Sequence, residues 1–346
     1  MCERETVCAD CETIEDLQVP RREFLRLAAG STAAVAASGA IAGADDAKAA
    51  AEKRKPKPAE ALIRELYETL SAEQKKTLVL PWNHGADKQG GMFARHGMYN
   101  RPFAGQKIGE HYTKAQQELI DRTLHAICAD EEGYIKITRN RRFDASKAFE
   151  NCGSHIFGEP SDDNKFAWLF TSHHLTVRCD GNSQPGAAFG GPLYYGHTAQ
   201  GYSSGNVYFY QTQRVQTLFD ALDAKQRKGA IAPDSPGERA ASVSFRPEGE
   251  PRPGIAYADL SKDQRSLAES VMRDILAPFR KEDADEVMQI VKQNGGMEKI
   301  HFGYYKDSSS KDDEIRWHFW RLEGPGFVWN FRVLPHVHCY VNIAAV

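Results

Sequence analysis

The chain has 346 residues with 44 basic and 47 acidic side chains, a formal net charge of −3. Its positive residues are scattered rather than striped, so nothing in them points to nucleic acid. Seven cysteines are present, and the four beyond the N-terminal segment, Cys128, Cys152, Cys179 and Cys339, are too few for a disulfide scaffold.

Residues 1–20 are polar and acidic, with Cys8-x-x-Cys11 and Cys2 offering half of a metal knuckle. Pro20-Arg21-Arg22-Glu23-Phe24-Leu25 then opens a run of Leu, Ala, Gly, Ser and Val that ends at Ala42-Gly43-Ala44 before Asp45. This segment, residues 1–44, resembles a twin-arginine export signal, with Pro20 where such signals carry Ser or Thr. The resemblance implies the twin-arginine export machinery as a partner, a periplasmic or secreted location, and a passenger that folds before translocation. The run is too rich in Ala and Gly for a stable membrane span in the mature chain. Residues 45–58 are Ala, Lys and Pro, a solvated linker, and a single folded domain is expected over 59–346.

A helix start of one kind recurs at Ser71, Thr113, Asp223 and Ser261, each followed three residues later by Gln and preceded by an apolar residue. Ser, Thr or Asp caps the helix while Gln bonds back to the cap. The second of these helices is expected to run to about Ala129 and the last from Ser261 to Pro278; a further helix spans Glu282 to Asn294 before Gly295-Gly296. The segment Pro81–Tyr112, which carries His84, His96 and His111, reads as an irregular surface loop or a lid. The glycine-rich stretch Phe189–Gly205 reads as a loop without a phosphate-binding pattern, so no nucleotide cofactor is expected. Ala232–Gly254, rich in Pro and Gly, reads as a surface crossover.

The stretch Phe166–Asp180 is aromatic and β-branched between turn residues, and reads as one buried strand interrupted by His173-His174. Strand alternation puts His173 with Leu169, Leu175 and Val177, and His174 with Trp168, Phe170 and Thr176. The C-terminal part reads as strands at 301–305, 314–322, 327–333 and 336–343, the middle two paired through Gly324-Pro325-Gly326. On the last strand His336, His338 and Tyr340 share a face. The fold class that follows is α+β: a mainly antiparallel sheet from the central and C-terminal strands, covered by helices. The strand 166–180 is expected to pair with the C-terminal strands, bringing His173-His174 toward His336 and His338.

The order Ile156-Phe157-Gly158-Glu159-Pro160-Ser161, Trp168, His173-His174-Leu175, His301-Phe302-Gly303, Trp320-Arg321-Leu322-Glu323-Gly324-Pro325 and His336-Val337-His338 resembles the domain of unknown function 3500 family. Members typically carry Gly where this chain has Ser172, and an Arg-Asp-Pro segment after His-x-His. The resemblance implies the extent of the domain and no reaction.

Buried imidazoles need a hydrogen-bond partner or a metal. A metal site is therefore expected from His173 or His174 with His336 and His338, completed by His301 or Glu159, for zinc, manganese, iron or copper. Glu159 is the candidate general base, and Tyr195 or Arg321 the candidate anion holder. Hydrolysis of a small polar substrate is the first expectation; a metal-dependent oxidoreductase and a non-catalytic metal- or ligand-binding protein of the envelope are the alternatives. Core histidines bonded to backbone and carboxylates would leave none of these.

Overall fold

The computed structural model describes residues 58–346 except 87–92, 162, 234, 239–242 and 307–316. The export signal, the cysteine knuckle and all but the last residue of the linker lie outside the described residues.

In chain order, helices α1 (Pro58–Thr69) and α2 (Ala72–Leu78) lead into the short strand β1 (Val79–Leu80), and α3 (Ile108–His111), α4 (Lys114–Ala126) and α5 (Glu131–Ile137) follow. Strands β2 (Gly153–Gly158), β3 (Phe166–Ser172), β4 (Leu175–Cys179) and β5 (Leu193–His197) complete the first half. The second half runs α6 (Phe209–Ala221), α7 (Ala224–Ala230), β6 (Ile231–Ala232), β7 (Ile255–Ala256), α8 (Lys262–Leu276) and α9 (Lys281–Gln293). It ends in β8 (His301–Tyr305), β9 (Phe319–Gly324), β10 (Phe327–Arg332) and β11 (Val337–Ile343). Among the described residues no helix is long and apolar enough to cross a membrane.

All four anticipated helix starts are capping boxes, at Ser71, Thr113, Asp223 and Ser261. Their glutamines do more than cap. Gln74 Nε2 donates to Gln116 Oε1 at 2.7 Å, and Gln264 Nε2 donates to Gln226 Oε1 at 2.7 Å, so one amide pair ties α2 to α4 and the other ties α7 to α8. The helix expected to reach Ala129 stops at Ala126, because Cys128 bridges to Phe279 and Asp130 caps α5.

The strands form one mixed, mostly antiparallel sheet in the order β1-β2-β3-β4-β5-β11-β10-β9-β8-β6, with β7 beside β8. The two halves follow the same path. β1 pairs parallel with β2 at Val79↔Ile156, as β6 does with β8 at Ile231↔Tyr304. The Trp168↔Cys179 pair of β3 and β4 recurs as Trp320↔Phe331 of β9 and β10. The halves join where β5 pairs antiparallel with β11, and the matched registers put a local twofold at the Leu193↔Val341 pair.

Phe166–Asp180 is not one strand. Ser172 pairs with Leu175, so His173-His174 is the two-residue turn of the β3–β4 hairpin. His174 has φ 55, a left-handed conformation suited to a turn and not to a strand interior. The turn resets the alternation: Val177 lies opposite Phe170, and Thr176 shares a face with Leu169. Nor does this hairpin pair with the C-terminal strands directly. β5, cut from the stretch read as a glycine-rich loop, intervenes.

Pairing across the sheet sorts the side chains into two faces. One carries Trp168, Val177, Tyr195, Trp329, Leu322 and Tyr304, and belongs to the main apolar core with α1, α4, α6 and α8. The other is polar and equally buried: Thr171, Thr176, Tyr194, Tyr340, Asn330 and Arg321 form one row. Buried polar groups must be paired, and here they seize irregular backbone. Tyr99 N and Phe103 N donate to Thr176 and Thr171 at 2.7 and 2.9 Å, while Asn330 and Asn342 donate to the carbonyls of Gly237 and Val243. The described parts of the segments read as a surface loop and a surface crossover thus cover the polar face.

Candidate metal centre

The β3–β4 turn delivers His174, and the start of β11 delivers His336 and His338; their exposures are 0, 3 and 0%. His338 stands opposite Gly196 on β5, and because Gly196 has no side chain, His174 reaches across β5 to β11. A Cβ at 196 would lie 3.3 Å from the His174 ring carbon Cγ and would run into Val337 O.

The three Nε2 atoms converge. His338 Nε2 lies 2.8 Å from His336 Nε2 and 2.9 Å from His174 Nε2. The far side of two rings is held by carboxylates: His174 Nδ1 is 2.6 Å from Asp144 Oδ2, and His338 Nδ1 is 2.7 Å from Glu238 Oε1. A carboxylate accepts, so each Nδ1 carries the proton, and each neutral ring turns a lone pair inward. Two nitrogen lone pairs facing at 2.9 Å repel unless a cation lies between them. Ligand atoms of His174, His336 and His338 all fall within 4.8 Å of one another, as do those of Asp144, His173 and His174, so these buried groups are disposed to hold a metal ion. Carboxylate behind histidine is the usual outer support of such a ligand.

The electrostatics favour neutral rings. Burial pushes His174 well below the ordinary histidine value against the pull of Asp144, and burial with Arg332 does the same to His338. Burial opposes ionisation of Asp144, yet the adjacent imidazoles of His173 and His174, the second hydrogen-bonded to it, hold its carboxyl well below the usual range. Burial raises Glu238, with Arg332 working against it.

Asp144 comes from a loop in which Arg139, Asn140, Arg141, Phe143, Asp144 and Lys147 all have positive φ. Left-handed non-glycine residues cost energy and gather at functional sites. Thr198 holds the carboxylate through its backbone N and its hydroxyl at 3.0 and 2.6 Å. Asn100 accepts the His174 backbone N–H at 2.7 Å, and the Tyr194 ring meets those of His174 and His338 edge-on. Arg332 donates to Glu238 at 2.5 Å and to His336 Nε2 at 3.2 Å.

The other residues singled out from the sequence lie elsewhere. His173 flanks the cluster, its ring 3.8 Å from that of His174 and its Nδ1 taking the Ala145 N–H. His301 is on β8 opposite Glu323, three strands from β11 and roughly 20 Å from His338 by strand spacing. Glu159 follows β2 at the Gly158↔Phe166 end of β3, the end away from the turn. Arg321 shares the polar face but is bonded to Glu323 at 2.9 Å. Tyr195 faces the apolar side, where its hydroxyl meets Gln211; alternation turns its neighbour Tyr194 to the histidines. Asp144, Glu238, Asn100 and Arg332 escaped the sequence reading. Arg332 ends β10 opposite His338, and its alternation with Phe331 in an otherwise apolar strand was a signal; the other three sit in irregular segments with none.

The family model for a protein of unknown function, DUF3500, matches residues 52–342. The chain belongs to the DUF3500 family. No curated protein and no solved structure matches it. Within this DUF3500 chain the Ser172-His173-His174-Leu175 and His336-Val337-His338 motifs, far apart in sequence, meet at one point.

Proposed function

We propose that His174, His336 and His338 hold one divalent metal ion through Nε2, and that this exported protein uses it to hydrolyse a small polar substrate. The observation that carries the reading is the convergence of three Nε2 lone pairs, two of them fixed inward by Asp144 and Glu238. Three neutral imidazoles with a position left for water or substrate are a catalytic zinc arrangement. A cation so held supplies Lewis acidity and lowers the pKa of bound water toward neutral. Around it, Asp144 and Glu238 orient the rings. Arg332 stays anchored to Glu238 through Nη1 and to His336 O through Nε, while its Nη2, released from His336 Nε2 once a metal takes that lone pair, offers a donor to an anionic oxygen of the ligand, the role first given to Arg321.

Element analysis of the purified chain tests this. About one metal ion per chain is expected, absent from a folded His174→Ala, His338→Ala double variant; full metal content in that variant overturns the proposal. Zinc or manganese directs the first assays to ester and amide hydrolysis, and iron or copper replaces hydrolysis with the oxidoreductase reading. Export is tested separately: Arg21→Lys with Arg22→Lys should retain the protein in the cytoplasm, and unchanged export would remove the twin-arginine route.

A further inference from the structure

A second cluster of buried polar groups lies on the same face of the sheet, at the other end of β4. Arg178 is four residues from His174, about 13 Å along the strand, and is 3% exposed; Arg95, also 3% exposed, and His96 descend on it from the covering segment. Burial, helped by Arg95, brings Arg178 down to about 9; burial lowers Arg95 to about 10; and burial with both guanidiniums lowers His96 well below its ordinary value.

Among the described residues no carboxylate forms an ion pair or a hydrogen bond with either guanidinium. Arg178 Nη2 donates to Gly97 O at 2.6 Å, while its Nε and Nη1 are buried with no hydrogen-bond partner. Arg95 lies over the Trp82 ring at 3.9 Å and the Phe93 ring at 4.5 Å. Its hydrogen bonds go to Trp82 O, Gln184 Oε1 and His96 Nε2, all uncharged acceptors. The nearby carboxylate, Asp180, raised by burial to about 6, favours the charged form of both arginines, but its oxygens are turned to the backbone N–H groups of Asn182 and Gln184 at 3.0 and 2.8 Å and leave the free donors of Arg178 unmet. Gly191 adds no side chain where His96 and Arg178 meet.

A buried guanidinium cannot shed its proton near neutral pH, and leaving it unpaired is among the costliest arrangements in a protein interior. Two of them side by side, one with two free donors, complete themselves with an anion. We propose that Arg178 and Arg95 form a buried receptor for a small oxyanion, the carboxylate or phosphate group of a ligand, distinct from the three-histidine centre. Gly97 takes only one hydrogen of Arg178 Nη2, so an edge of the planar fork, Nη2 with Nε or Nη2 with Nη1, still matches two oxygens of such a group. The proposal does not depend on a metal being bound.

The test uses the full-length chain carrying His174→Ala and His338→Ala, so that no anion can act through a metal there. Its thermal midpoint is followed against inorganic phosphate and against acetate, with sodium chloride at matched ionic strength as the reference. A saturable rise with phosphate or acetate and none with chloride is expected, the better anion naming the group. In the same background Arg178→Met should abolish the response and raise the ligand-free midpoint, because an uncompensated buried charge has gone. A purely structural clamp on Gly97 would lower that midpoint instead. If Arg178→Met does not fold, Arg178→Lys keeps the charge without the fork, and its affinity for the anion should fall on the order of tenfold. No oxyanion effect beyond that of chloride, an undiminished response in Arg178→Met, or undiminished affinity in Arg178→Lys each overturns the proposal.

Discussion

His174 shows how much can rest on one turn position. Its φ of 55 is unusual for a residue with a side chain, and the conformation aims Nε2 at His338 while Nδ1 faces Asp144. Asp144→Asn keeps the shape and removes the charge behind the imidazole, so metal affinity measured by chelator competition should fall about 10–100-fold. Away from the centre, His155 illustrates a different cost. Its Nε2 meets Gln106 at 2.7 Å, its Nδ1 has no partner, and burial lowers it to about 3. A histidine whose folded value is depressed binds protons first in the unfolded state. Its contribution is therefore intact above the unfolded value of about 6.5, and stability is lost as pH falls from there toward 3. At pH 5 this one group removes about 2 kcal/mol. Urea midpoints at pH 7.5 and pH 5 should accordingly differ less for His155→Leu than for the unaltered chain, and an equal difference would show that His155 is not the proton acceptor.

The helices are held by devices that repeat. Each capping hydroxyl or carboxylate satisfies an N–H at the helix start, and Thr113→Ala or Ser261→Ala should each cost about 1 kcal/mol in urea unfolding. The glutamine pairs add a tertiary role to a local one. A double-mutant cycle on Gln226→Ala and Gln264→Ala should show a coupling of roughly 0.5–1 kcal/mol, whereas additive effects would mean that each residue only caps its own helix. Between strands, Gly196 is the comparable element: Gly196→Ala should part β5 from β11 at Val337 and lose the three-histidine geometry, read as loss of bound metal before loss of the fold.

The two halves, alike in path and register, could be separate bodies, but one apolar core runs under both, from Ile63 and Trp168 to Trp329 and Ile290. The β5–β11 seam carries the sheet through the local twofold without a break. Urea unfolding followed by far-ultraviolet circular dichroism and by tryptophan fluorescence should give coincident single transitions; two separated steps would mean that the halves unfold independently. Despite the matched paths, the histidine centre has no counterpart. The position equivalent to the His173-His174 turn is Pro325-Gly326, so one half supplies the turn ligand and the other supplies the strand ligands.

The α+β class, the four helix caps, the β9–β10 hairpin and the shared face of His336, His338 and Tyr340 could be read in the chain, because each depends on residues a few positions apart whose spacing is set by helix or strand geometry. The hairpin inside 166–180 was hidden, since aromatic and β-branched residues suit one long strand as well as two short ones and only pairing distinguishes them. The partners of the imidazoles were hidden for a deeper reason. Asp144 stands 30 residues from His174 and Glu238 stands 100 from His338, each in an irregular segment whose path is dictated by the buried polar face it must satisfy. Local chemistry named the histidines; packing across the sheet decided which of them meet, which carboxylates stand behind them, and which charges are left without a partner.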